Sequence, residues 1–201
     1  VPALPPYAAV VLAGGRAARL GGQAKPQLEV GGRSMLAAVL AAVADARTRL
    51  VVGPPQPVPA GVQVLREQPP GGGPVAAMRA GLARVDTDVV AVLAGDLPFL
   101  TAELVRALRD RLTADGVLVV DDAGRDQLLL GVWRTAALRT ALTGAPAHAP
   151  VRRVLSPLTF TRWRPPVEPD RPAPWTDCDT PADLARARAA AAAGSAAPAD
   201  G

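Results

Sequence analysis

Ala8-Ala9-Val10-Val11-Leu12-Ala13-Gly14-Gly15-Arg16-Ala17-Ala18-Arg19-Leu20-Gly21-Gly22-Gln23-Ala24-Lys25-Pro26 is the stretch on which the fold turns. Its first part, Tyr7–Leu12, is apolar without interruption, as in a strand covered on both faces. A glycine-rich loop follows. A turn at Gly31-Gly32 and an Ala/Leu/Val-rich segment with helical spacing, Ser34–Ala46, come next. Strand, glycine loop and helix make the opening unit of an α/β protein. Successive backbone N–H groups in such a loop favour an anion, and a helix N-terminus behind it favours phosphate. The loop also carries Arg16, Arg19 and Lys25. Lys25 is the only lysine among 22 basic residues. An ammonium is a compact point charge where a guanidinium is a planar fork, so its retention here points to a task. The loop matches neither G-x-x-x-x-G-K-[ST], since Lys25 lies three residues beyond Gly22, nor G-x-G-x-x-G. From mechanism alone, a phosphate cradle and a flexible loop with solvated cations both stay open.

Outward from this unit, strands alternate with helices. Strands are expected at Arg49–Val52, Val62–Leu65 and Asp88–Ala94, then at Val117–Val120, Gln127–Trp133 and Leu158–Trp163. A second glycine-rich loop, Pro69–Pro74, precedes a helix at Val75–Arg84. Thr101 reads as the N-cap of a helix over Ala102–Thr113, with Leu104, Val105, Leu108 and Leu112 on one face. Asp121–Asp126 forms a polar turn between two strands. Short helices are expected at Thr135–Leu142 and Pro150–Leu155, and a Pro-rich connection at Arg164–Pro174. Thr180-Pro181-Ala182-Asp183 opens a last helix, with an N-cap, a proline at the first helical position and an acid in the first turn. The pattern predicts one α/β domain over residues 1–193, a mostly parallel sheet with helices on both faces, and a disordered small-residue tail over 194–201. Ligands of such folds bind at the carboxyl ends of the strands, where Gly14, Gly53, Glu67 and Asp96 fall.

Composition narrows the function classes. The chain has 201 residues, 49% apolar and 20% charged, enough for a sizeable core. It has no Ile or Asn, which together with the Arg excess reads as coding bias. A net charge of +4 with dispersed basic residues suits an anionic substrate better than nucleic acid. Aromatics at 3% supply no stacking platform for single strands. The single cysteine, Cys178, excludes an internal disulfide, and reads as a small buried apolar residue rather than a nucleophile. The single histidine, His148, lies in a Pro/Ala loop and reads as solvated. No apolar run reaches the length of a membrane span, and Val1–Pro6 lacks the regions of a signal peptide. A cytoplasmic protein with no membrane or nucleic-acid partner is expected.

Two acidic positions stand out. Asp96 follows an apolar strand and a glycine, where an unpaired carboxylate is costly. It serves either as a metal ligand, since Mg²⁺ is commonly held by one carboxylate plus phosphates and water, or as a helix cap. Asp177 and Asp179 are two apart, so in extended chain they point to one side and one of them can join Asp96 at a metal. Equally, Asp179 can simply cap the last helix.

Taken together, Leu12-Ala13-Gly14-Gly15, Arg19-Leu20-Gly21-Gly22, Lys25, Gly73-Pro74, Gly95-Asp96-Leu97-Pro98, Arg125-Asp126-Gln127-Leu128-Leu129 and Asp177-Cys178-Asp179-Thr180-Pro181-Ala182-Asp183-Leu184 resemble the molybdenum cofactor guanylyltransferases. The resemblance spans residues 8 to 190. It implies a single three-layer α/β/α domain with a mixed, mostly parallel sheet, the Rossmann-like nucleotidyltransferase fold of glycosyltransferase-A type. It implies transfer of GMP from GTP to the terminal phosphate of a molybdopterin-type cofactor, with release of pyrophosphate, and contact with proteins that deliver or accept that cofactor. By position, Leu12, Ala13, Gly14 and Gly15 would bind the nucleotide. Lys25 and Arg19 would meet its phosphates, Asp96 would hold Mg²⁺ with Asp179 as a second ligand, and Glu67 would lie near the guanine.

The chain departs from that pattern at several points. Ala17 stands where Ser is common, Ala24 where Asp often precedes the lysine, Gly53 where an Asn assists the nucleotide, and Asp177 and Asp179 where the pair is often Asn. Lys25-Pro26 is similar to the sugar and cytidylyl branches, whereas Leu-Ala-Gly-Gly favours the guanylyl branch. A cytidylyl- or sugar-phosphate nucleotidyltransferase and a non-catalytic nucleotide-binding or adaptor protein are the alternative readings.

Overall fold

The computed structural model describes residues 4–14, 19–20, 23–169 and 171–195. In chain order its elements begin with β1 (Tyr7–Leu12), β2 (Arg19–Leu20), β3 (Gln23–Ala24), a 3-10 turn at Lys25–Gln27, β4 (Glu29–Val30), β5 (Arg33–Ser34) and α1 (Met35–Ala42). Next are β6 (Thr48–Val52), β7 (Val62–Leu65), α2 (Gly73–Leu82), β8 (Val89–Ala94) and α3 (Ala102–Asp110). The rest are β9 (Gly116–Val120), β10 (Asp126–Arg134), α4 (Thr135–Leu142), α5 (Val151–Leu155), β11 (Phe160–Trp163) and α6 (Pro181–Ser195).

Seven strands form one sheet in the order β11-β9-β10-β8-β1-β6-β7. β10 pairs antiparallel with both of its neighbours, and every other pairing in the sheet is parallel. The mixed, mostly parallel sheet expected from the sequence is therefore present, with β8 at its centre. Burial of β1 on both faces explains its unbroken apolar run. Tyr7, Ala9 and Val11 join the core cluster built with α1 and α3, while Ala8, Val10 and Leu12 join the one built with α2, α4 and α5. These are the three layers. Close approach of α2 to β1 depends on Gly81, where an added Cβ would fall 2.4 Å from Val10 Cγ1.

A third apolar cluster joins α6 to the β4–β5 segment, through Leu184 and Ala187 against Leu28, Val30 and Met35, with Cys178 fully buried among them. Burial pushes the Cys178 thiol up to about 11, and the neighbouring Asp96 charge adds to the effect.

Element bounds differ from expectation in places with a local cause. α1 stops at Ala42, four residues short, with Ser34 as its N-cap accepting from Ala37 N. Past Ala42 the chain tightens into turns, and Asp45 leaves the helix to accept from the Tyr7 hydroxyl at 2.5 Å and from Arg109 at 2.9 Å. α3 likewise ends at Asp110, with Thr101 Oγ1 capping Leu104 N as read. α6 includes Gly194 and Ser195, the first two residues of the expected tail; residues 196–201 lie outside the described residues. Five alanines at 189–193 propagate that helix well enough for one glycine not to end it. The hairpins β2–β3 and β4–β5 have no counterpart in the sequence reading. Among the described residues no helix is long and apolar enough to cross a membrane.

Candidate active site at the carboxyl edge of the sheet

The ends of four strands, β7, β6, β1 and β8, are held side by side by backbone hydrogen bonds that continue past the strands. Ala13 N donates to Val52 O (2.9 Å), Gly95 N to Leu12 O (2.9 Å) and Gly53 N to Leu65 O (2.8 Å). The spacing is tight. A Cβ on Gly53 would lie 2.7 Å from Ala13 O, and one on Gly95 would lie 3.0 Å from Leu12 O. At Gly53, where the resemblance expects a helpful Asn, the chain has no room for a side chain, which would collide with the Ala13 carbonyl.

One cleft gathers Leu12, Ala13, Gly14, Lys25, Glu67 and Asp96, which are six of the site residues read from the sequence. Its walls also include Val52, Ala77 and Leu129 and the start of α2 at Gly73-Pro74. Gly15, like Arg16, lies outside the described residues. Arg19 is described only as part of β2.

Glu67 is 6% exposed. Its Oε1 accepts from Gly71 N at 2.8 Å and so pins the loop that leads into α2. Its Oε2 is buried without a partner, which is costly unless a ligand donor reaches it.

Lys25 is 7% exposed. Its Nζ lies 2.7 Å from Asp96 Oδ2 and 2.5 Å from Asp179 Oδ1. Burial pulls the ammonium's pKa down, but hydrogen bonds to Asp179 and Asp96 and their charges outweigh it, and the net direction is up. The ammonium therefore stays charged in a poorly hydrated site. Asp177 and Asp179 are exposed while Cys178 between them is buried, the alternation expected of extended chain. Burial raises the Asp177 pKa, followed by the charges of Asp179 and Asp96.

Neither acid is a helix cap. Thr101 caps α3, and at α6 Thr180 and Asp183 form a reciprocal capping pair, with Asp183 N donating to Thr180 Oγ1 and Thr180 N to Asp183 Oδ2. Asp96 and Asp179 are left to Lys25, whose ammonium lies between them where the sequence reading put a metal. Among the described residues no group of three His, Cys, Asp or Glu side chains is arranged to hold a metal unaided. Each carboxylate spends one oxygen on Lys25, so Asp96 Oδ1 and Asp179 Oδ2 remain as hard donors. That set fits Mg²⁺ in the mode where phosphates and water complete the shell. His148 is exposed in the turn before α5, as expected, and is no part of the cleft lining.

One contact at the cleft rim was not foreseen. Gln27, two residues after Lys25, donates to Gln56 Oε1 at 3.0 Å, and Gln56 donates to Pro54 O at 3.2 Å. This ties the Lys25 turn to the loop after β6. Two glutamines 29 residues apart carry no local signal that would pair them.

Comparison with known proteins bears on the fold and the family. The chain is 33% identical over 200 residues to the molybdenum cofactor guanylyltransferase of Rhodopseudomonas palustris (strain BisB5), covering 91% of this chain and 93% of that protein. Its fold is similar to that of molybdopterin-guanine dinucleotide biosynthesis protein A from Archaeoglobus fulgidus, with a TM-score of 0.68 at 18% identity over 91% of this chain and 97% of the other. It is also similar to 2-C-methyl-D-erythritol 4-phosphate cytidylyltransferase from Thermus thermophilus, with a TM-score of 0.66 at 22% identity over 91% of this chain and 98% of the other. A family model, the MobA-like NTP transferase domain, matches residues 9–163. The chain belongs to the MobA-like NTP transferase family.

Proposed function

We propose that this nucleotidyltransferase moves GMP from GTP to the terminal phosphate of a molybdopterin-type cofactor and releases pyrophosphate. The observation that carries the reading is the single cleft that unites the strand-end backbone of Leu12–Gly14, the free Glu67 oxygen and the Lys25–Asp96 pair. A buried carboxylate oxygen matches the adjacent N1–H and N2–H donors of guanine. Cytosine offers one amino donor beside an acceptor nitrogen, which a carboxylate repels. The 33% identical relative is itself a molybdenum cofactor guanylyltransferase.

In the reaction, an acceptor phosphate oxygen attacks the α-phosphorus of GTP. The bond between that phosphorus and the oxygen bridging to the β-phosphate breaks, and pyrophosphate departs. The attacking group is already an oxyanion, so no general base is needed. Asp96, with Asp179, would hold Mg²⁺, which when bound draws off charge from the phosphate oxygens. Lys25 supplies a fixed positive charge beside the same phosphates, and Arg19 a second one. An entering phosphate competes with Asp179 for the Lys25 ammonium. Gly14 brings backbone to the cleft without a side chain in the way.

The alternative, a cytidylyl- or sugar-phosphate transferase, shares the fold and the Lys25-Pro26 pair. Thermal-shift titration with Mg²⁺ separates the two. GTP is expected to raise the melting temperature well beyond CTP at equal concentration, and Glu67→Gln to shrink the difference. A larger shift with CTP would turn the assignment to the cytidylyl branch.

A further inference from the structure

Past Asp96 the cleft continues away from the nucleotide side as a groove floored by Gln127, Leu129 and Val151 and edged by Asp177 and Asp179. The groove opens into a cavity of about 660 Å³ between the Asp121–Asp126 turn and the Trp175–Asp179 segment. An anionic acceptor approaching Asp96 by this route meets acids. Among the described residues lining the groove and the cavity, the only cations are Arg125 and Arg152.

Neither arginine is loosely placed. The Asp121 side chain is 6% exposed and accepts from Arg125 N (2.8 Å), Arg125 Nε (2.8 Å) and Gln127 Nε2 (3.0 Å). The Asp126 side chain, also 6% exposed, accepts from Arg152 Nη1 at 3.0 Å and from Arg162 Nε at 2.6 Å. Arg162 Nη2 reaches on to Gly124 O at 3.3 Å, which ties the turn to β11. The two arginine side chains are 78% and 67% exposed. Each has one edge bound to a buried carboxylate, so its remaining N–H groups are oriented before any ligand arrives. Such forks recognise oxyanions by paired, charge-assisted hydrogen bonds.

Resting on the proposed transfer reaction, we propose that Arg125 and Arg152 anchor a second anionic group of the acceptor, remote from its reacting phosphate, and that Asp121 and Asp126 are the positioning residues that aim the two guanidinium groups. The acceptor is then a phosphomonoester with an anion at its far end, a description that the metal-bearing end of a molybdopterin phosphate meets. The phosphate lies toward Asp96, where no arginine is among the described lining residues, and the far anion supplies the attraction that the acidic groove lacks.

The test measures binding without catalysis. Molybdenum-bearing molybdopterin is titrated into the full chain, without nucleotide, and followed by calorimetry. The doubly substituted Arg125→Ala/Arg152→Ala protein, checked to be folded by circular dichroism, is expected to bind at least tenfold more weakly than the wild type, with a flatter salt dependence. Arg152→Lys is expected to recover part of the loss when Arg125 is retained, and Asp126→Asn to weaken binding although it does not touch the ligand. Equal affinity for wild type and double variant overturns the proposal, as does absence of wild-type binding. Pyrophosphate release from GTP tests the transfer reaction separately, so either idea can fail alone.

Discussion

At Lys25 a single ammonium is enclosed by two carboxylates from distant parts of the chain, Asp96 and Asp179. Its proposed role as the fixed charge beside the phosphates carries a direct consequence. Lys25→Ala should fold and lose roughly a hundredfold or more in turnover, the scale of losing one preorganised electrostatic donor; near-wild-type turnover by a folded variant would remove Lys25 from the chemistry. The sign of its pKa shift gives a second consequence. The folded pKa is raised above the ordinary 10.5, so the stabilisation is fully present below that value and is lost as pH rises through the folded pKa. Melting temperatures of wild type and Lys25→Ala should differ at about pH 8 and converge in the strongly alkaline range. A gap that stays constant across that range would mean the ion pair is not its source. Lys25 was legible as one residue because it breaks the chain's own arginine habit. Its partners were not, because Asp179 lies 154 positions away and only the resemblance set the two in one site. A separation of 36 positions likewise hid the Asp126–Arg162 pair.

Among the elements, long buried strands and capped helices could be read because burial imposes a period and caps impose residue types. Tyr7–Leu12 and Thr135–Leu142 agree with expectation residue for residue. The two-residue hairpins β2–β3 and β4–β5 could not be read, since two residues hold no period. Nor did sequence reveal that Gly81 lets α2 lie on β1. Gly81→Ala would gain about 1 kcal/mol of helix propensity yet meets Val10 well inside contact distance, and overpacking costs about 1–3 kcal/mol. The variant is therefore expected to be less stable than wild type in urea denaturation. In a double-mutant cycle Val10→Ala should relieve part of that loss. A stabilised Gly81→Ala protein would show that propensity, not the helix–strand contact, governs this position.

Across the whole molecule, the architecture followed from alternation of strands and helices, with the polar turn Asp121–Asp126 marking the one hairpin that reverses β10. The parallel strands on one side of β10 bring their carboxyl ends to one edge, and Leu12–Gly14, Glu67 and Asp96 meet there although they are far apart in sequence. The groove beyond Asp96 extends that edge, so the proposed donor and acceptor sides would be separated by the carboxylate that would hold the metal. Transfer from one side to the other is the central claim, and acceptor-dependent release of pyrophosphate tests it most directly. With Mg²⁺ and molybdopterin present, GTP should release pyrophosphate well above CTP or ATP, and Asp96→Asn should abolish the release. Release that is independent of molybdopterin, or equal for GTP and CTP, would contradict the account.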